Sequence, residues 1–207
     1  MEKLVIVFAK NPELGKCKTR LAKSIGDKKA LEVYKELIQH TAKTIGTVNA
    51  SRAVFYSEEI QNRDFWDDTL FQKKVQGDGH LGQKMQIAFE WGFEQGYSKI
   101  CIVGSDLFEL RTSDIEKAFQ ELDQTDMVFG PANDGGYYLM GMSKLHQNAF
   151  LKKAWSTETV LEKTIQDLQG LNLTFLEAKT DIDTVEDLVI YSNFHNYIPN
   201  QILKELT

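Results

Sequence analysis

Proline is scarce in this chain, at 3 of 207 residues, beside 14 glycines. No Pro/Gly-rich linker, repeat or low-complexity stretch divides the sequence, so residues 1–207 are expected to form a single domain. Cysteine is scarcer still. Cys17 and Cys101 lie 84 residues apart with no metal-ligand spacing, which argues against a disulfide framework and fits a reduced, cytoplasmic protein. His40, His80, His146 and His195 have no zinc spacing either. The longest apolar run, residues 4–9, falls far short of the ~18 residues of a membrane span. It is also too short, and lacks the cleavage-site pattern, for a signal peptide. A Walker A loop and a G-x-S-x-G nucleophile elbow are both missing. What the chain has is 42% hydrophobic and 11% aromatic residues, enough for a full core and incompatible with disorder.

Net charge is −6, which argues against a nucleic-acid binder or an anionic-membrane binder. The distribution says more than the total. Residues 10–29 carry a net charge of +5 and the remainder −11. A basic island in an acidic chain suits a small anionic ligand, although a solvated lysine-rich loop has the same composition.

Residues 4–9 and 100–103 are continuous, β-branched-rich apolar runs, as expected of strands buried on both faces. Further strands are expected at 53–56, 127–129, 137–142 and 173–176, with a polar edge strand at 71–75. Helices are expected from Asp27, as N-cap, to about Ile45, after Gly82, over 113–122, near 157–169 and from Thr184. Strands alternating with helices predict an α/β fold, a largely parallel sheet covered on both faces. Ligands of such sheets bind beyond the strands' carboxyl ends.

Three constellations lie at those ends. The first strand empties into a Pro/Gly loop carrying Lys10, Gly15, Lys16, Lys18 and Arg20; cations and backbone N–H groups there could hold a polyphosphate. Gly77-Asp78-Gly79-His80-Leu81-Gly82 is a literal G-x-G-x-x-G, but the polar strand before it is unlike the central strand of a dinucleotide fold. It is a ligand loop of another kind or a plain turn. Asp106, Asp134 and Asp183 supply carboxylates, the donors that hard Mg²⁺ prefers. Asp134-Gly135-Gly136 also reads as a hairpin turn, and the segment from Asp183 as a capping box.

The order of motifs then carries a resemblance. Phe8-Ala9-Lys10, Gly15, Lys18-Thr19-Arg20-Leu21, Gly77-Asp78, Leu81-Gly82, Gly104-Ser105-Asp106, Asp134-Gly135-Gly136-Tyr137-Tyr138, Trp155-Ser156-Thr157 and Asp181-Ile182-Asp183-Thr184 follow one another over roughly residues 4–190. The chain resembles an uncharacterised bacterial family of the nucleotide-diphospho-sugar transferase superfamily, GT-A glycosyltransferase-like and related to molybdenum-cofactor nucleotidyltransferases and phospholactate guanylyltransferases. The resemblance implies a three-layer α/β/α sandwich with a mostly parallel mixed sheet, of Rossmann-like GT-A type. It implies nucleotide over Phe8, Ala9 and Lys10, with phosphates near Gly15, Lys16, Lys18 and Arg20. Gly77 and Asp78 are implied at the base or ribose, Asp106 and Asp183 at Mg²⁺ or Mn²⁺, and Asp134, Gly135, Gly136 and Tyr137 at the acceptor. Where the family often has proline after the metal aspartate, this chain has Leu107-Phe108.

The expected function is therefore Mg²⁺-dependent transfer from a nucleotide, with nucleotidyl transfer to a small acceptor in first place. Three neighbouring cations favour a triphosphate, and Lys18, Arg20 and Asp106 would be catalytic. Glycosyl transfer from a nucleotide-sugar, and nucleotide binding without turnover, are the alternatives.

Overall fold

Leu4, Val5, Ile6 and Val7 have no exposed surface, because strand β1 (Lys3–Ala9) runs through the middle of a seven-stranded mixed sheet. The computed structural model describes residues 2–151, 153–155 and 157–206. Strands β2 (Ser51–Tyr56), β3 (Gln72–Val75) and β4 (Lys99–Gly104) lie parallel with β1, in the order β3-β2-β1-β4. The order continues with β6 (Tyr137–Met142), β5 (Met127–Pro131) and β7 (Leu173–Phe175). β6 is antiparallel to both neighbours, β4 and β5. β3 is polar because it is an edge.

Alternation along β1 splits the core. Val5, Val7 and Ala9 pack with Tyr34, Ile38 and Ile45 of α2 (Asp27–Gly46) and with Ile115 and Phe119 of α4 (Thr112–Glu121). Leu4 and Ile6 pack with Met85 and Phe89 of α3 (Leu81–Glu94), and Leu161 of α5 (Val160–Asp167) closes over the same face. Sheet between helical layers is the expected three-layer α/β/α sandwich.

A third cluster lies behind α2, where Ala30, Val33 and Leu37 meet Val185 and Leu188 of α6 (Val185–Val189) and the 3-10 residue Phe194. The last helix, α7 (Asn200–Leu206), follows. Several boundaries differ from expectation. α3 begins at Leu81 rather than after Gly82, because His80 caps it through Gln83 and takes the end of the glycine loop into the helix. Thr19–Ile25 forms a separate helix, α1, which ends at Gly26 with φ +84°. That left-handed conformation is open to glycine and makes Gly26, not Asp27, the N-cap of α2. α5 begins at Val160 rather than near 157. In the Trp155–Thr157 motif, Ser156 lies outside the described residues.

Candidate functional site

β1 and β4 are adjacent and parallel, so their carboxyl ends deliver two loops to the same rim. The first loop is fastened tightly. The Tyr34 hydroxyl accepts from Lys10 N (2.9 Å), donates to Lys10 O (3.1 Å) and lies 3.0 Å from the Ser105 hydroxyl. One side chain of α2 thus ties both loops together. Asn11 is buried; its carboxamide donates to Glu59 O (2.8 Å) and accepts from Glu58 N (3.0 Å). The Cys17 thiol donates to Asn11 O, and burial pushes its pKa up. Gly15, at φ +75°, and Lys18, at φ +48°, reverse the chain into α1.

That reversal turns Lys18 inward. Expected as an open phosphate-binding cation, its side chain is only 4% exposed. Its ammonium donates to Asp106 Oδ2 (2.9 Å) and Asp183 Oδ1 (2.8 Å). Burial alone would lower the ammonium's pKa, but the two carboxylates outweigh it and hold Lys18 charged well above its ordinary value. Burial would likewise raise Asp183, yet Lys18 and Arg20 hold it below the usual carboxylate range. Arg20 is exposed and lies 3.6 Å from Asp183 Oδ2.

Asp181 completes the cluster, with carboxylate oxygens of Asp106, Asp181 and Asp183 all able to lie within 4.8 Å of one another. Burial, reinforced by Asp106, pushes the Asp181 carboxyl up to about 6. Three hard oxygen donors fit Mg²⁺ or Mn²⁺ by chemistry, and the Lys18 ammonium shows that the place attracts a cation. Asp181 was missed as a site residue, although residues two apart in an extended segment share a face. In the Asp183–Asp187 segment the anticipated capping box forms, between Thr184 and Asp187 at the start of α6, and it leaves the Asp183 carboxylate free to face the cluster and turn to Lys18.

Above these acids opens a cleft of ≈ 520 Å³. Phe8, Ala9, Lys10, Lys18, Arg20, Asp106 and Asp183 line it, together with Gly79 of the expected glycine loop and Lys84, which the sequence did not single out. Gly15, Lys16, Gly77, Asp78 and the residues from Asp134 to Tyr137 stand outside its lining. Lys16 is exposed and paired with Glu13 (2.8 Å) and Glu58 (3.4 Å). Asp134 closes the β5–β6 hairpin by accepting from Gly136 N (2.9 Å). Gly135 sits at φ +87°, where a Cβ would meet Glu158 O at 1.9 Å, so the turn is pressed against the segment before α5. Tyr137 packs on Phe129, and its hydroxyl is buried without a hydrogen-bond partner among the described residues. A larger hollow of ≈ 950 Å³, at the amino ends of β1 and β2, holds no comparable cluster.

Leu107 and Phe108 hold the loop after Asp106 by packing rather than by a proline ring. Leu107 is 2% exposed, and the Phe108 ring lies 4.9 Å from Phe194 and 5.2 Å from Tyr191.

A bacterial family model described as "Uncharacterized protein conserved in bacteria (DUF2064)" matches residues 40–157. A crystal structure from Desulfovibrio desulfuricans G20, described as that of a candidate nucleotide-diphospho-sugar transferase, is 28% identical with a TM-score of 0.87; the match covers 95% of this chain and 89% of that one. A 4-diphosphocytidyl-2C-methyl-D-erythritol synthase from Anaerococcus prevotii DSM 20548 superposes with a TM-score of 0.61 at 9% identity, covering 94% and 96%. A cytidylyltransferase from Leptospira borgpetersenii gives 0.57 at 12%, covering 99% and 94%. These last two share the fold. No curated protein matches the sequence.

Proposed function

The chain belongs to this bacterial DUF2064 family, and from that premise we propose that it is a Mg²⁺-dependent transferase acting on a nucleotide, transferring the nucleotidyl group to a small acceptor. One observation carries the reading. Asp106, Asp181 and Asp183 converge with Lys18 and Arg20 at the carboxyl ends of β1 and β4, beneath a cleft that Lys10 and Lys84 also face. Carboxylates for a metal beside cations for phosphates are what phosphoryl chemistry requires. The fold shared with cytidylyltransferases supports the same choice.

Asp106, Asp181 and Asp183 would hold the ion, which when bound neutralises phosphate charge and polarises the P–O bonds. Phe8, Ala9 and Lys10 would carry the nucleotide, with Gly77 and Asp78 near base or ribose. Lys18 and Arg20, beside Gly15 and Lys16, would stabilise charge at phosphorus and on the departing pyrophosphate. Asp134 to Tyr137 would border the acceptor. Sugar transfer from a nucleotide-sugar is the second reading, favoured by the description of the D. desulfuricans protein.

The test is a melting-temperature panel of nucleoside triphosphates and nucleotide-sugars, with and without Mg²⁺, followed by pyrophosphate release with acceptors. A ligand at 100 times its Kd adds about 2.7 kcal/mol, which at roughly 2–4 °C per kcal/mol is a shift of about 5–11 °C. The largest shift is expected from a triphosphate with Mg²⁺. A nucleotide-sugar outranking it would favour sugar transfer, and no shift with any nucleotide at millimolar concentration would reject both readings.

A further inference from the structure

Lys18 bridges Asp106 and Asp183, two of the carboxylates that would hold an ion. Its ammonium lies 2.9 Å and 2.8 Å from oxygens of the two carboxylates that such an ion would share, and its side chain is almost sealed from water. An ion on these carboxylates would stand beside the ammonium and be repelled by it, so the two cations compete for the same place. The placement is built in: Lys18 takes a left-handed backbone conformation that non-glycine residues adopt rarely, in a loop fastened through Asn11, Cys17 and Tyr34.

We propose that Lys18 is the resident counter-cation of the carboxylate cluster, and that a divalent ion enters only when a polyphosphate in the cleft draws the ammonium away. The inference rests on the nucleotide reading above and extends it to the order of binding. The ammonium has a second place to go, because Lys18 also lines the cleft, in company with Lys10, Arg20 and Lys84. A polyphosphate there offers it a new anionic partner in exchange for the carboxylates. Ion and polyphosphate therefore promote each other's binding, and by linkage the coupling is reciprocal. The free protein, by contrast, is poorly receptive to metal although three acids point to one place.

The test follows free Mn²⁺ by electron paramagnetic resonance. With no nucleotide present, Lys18→Met and Lys18→Gln are expected to bind Mn²⁺ at least tenfold more tightly than wild type, because the competitor is gone. Adding Asp106→Asn to Lys18→Met is expected to abolish the gain, which places the ion on the carboxylates. Melting curves confirm that the variants are folded. Should neither fold, wild type alone decides: it is expected to take up Mn²⁺ with an uncleavable triphosphate, after correction for free complex, but not Mn²⁺ by itself. Unchanged or weaker Mn²⁺ binding in the folded variants overturns the proposal, as does wild type binding Mn²⁺ equally well with and without the triphosphate. Tight Mn²⁺ binding by Lys18→Met with no response of wild type to any nucleotide supports the exclusion by Lys18 and rejects the nucleotide reading. No Mn²⁺ bound by any protein under any condition rejects both.

Discussion

Among the described residues, Lys18 and Lys73 each bridge two aspartates, and their surroundings separate structure from function. At the outer edge of the sheet, Lys73 donates to Asp64 (2.8 Å), Asp68 (2.6 Å) and the carbonyl of Gln61 (3.1 Å), using all three of its N–H donors. Asp64 is itself saturated by the Tyr56 hydroxyl and Trp66 N. Both Lys73 and Asp64 are 9% exposed, although the second partner, Asp68, is open to solvent at 68%. At the sheet's centre, Lys18 is as deeply buried, but Asp106 and Asp183 are 38% and 34% exposed on the cleft side. A third carboxylate, Asp181, stands close by. A closed, saturated pair braces a loop; an open cluster with surplus carboxylate can exchange partners.

Four measurements would break or sharpen this contrast. The largest effect is expected at the edge, where Lys73→Met strands a buried carboxylate. Breaking such a pair typically costs about 3–5 kcal/mol, or roughly 6–20 °C in Tm for a chain of this size, with turnover per folded molecule unchanged. Equal Tm for variant and wild type would show the edge pair to be as exchangeable as the central one.

Asp106→Asn is expected to behave in the opposite way. Catalytic turnover should fall by about 100-fold or more, as when a main electrostatic stabiliser is removed, while Tm moves by a few degrees. Full activity at low Mg²⁺ would remove Asp106 from the metal site. Next comes Arg20→Ala, where an exposed guanidinium leaves and the fold loses little. Triphosphate binding is expected to weaken by about 1.5–3 kcal/mol, the usual range for a charge-assisted hydrogen bond; titration calorimetry with unchanged affinity would make Arg20 a solvated side chain.

The smallest effect concerns Asp181, in chelator. Its folded carboxyl is raised to about 6, above the ordinary unfolded value of about 3.9, so the folded state binds this proton more readily. Ionised Asp181 therefore subtracts stability above pH 6, less as pH falls through 6, and nothing below about 4. Asp181→Asn should melt a few degrees above wild type at pH 8, with the gain gone by pH 4. An equal Tm at pH 8 would mean the cluster is not under electrostatic strain.

The sequence made the sheet legible because β1 and β4 are apolar on both faces, a pattern few other elements produce. Asp106 was legible too, since an acid directly after such a strand must emerge at the rim. Lys18 was not, because burial of a lysine depends on partners 88 and 165 residues away. Charge counting places it in water; tertiary pairing takes it out. α1 escaped because seven residues carry too few turns for periodicity, and only the conformation of Gly26 separates it from α2. The hairpin role of Asp134 could be read, whereas its contact with the segment before α5 could not, since nothing local encodes Glu158 pressing on Gly135.

Strand β6 alone runs against its sheet neighbours on both sides. Its direction brings a short turn, rather than a bulky crossover helix, to the rim where β1 and β4 end. A turn anchored at both feet by ladder pairs can lengthen or shorten without re-registering the sheet beneath it. In this chain the turn is not free to do so, because Leu161 N donates to Gly135 O, Asn133 N donates to Lys179 O, and Gly135 lies against Glu158. Residues 132–136 are thus as firmly held at the rim as the acids beside them, and a longer turn would have to break its ties to α5 and to the chain after β7.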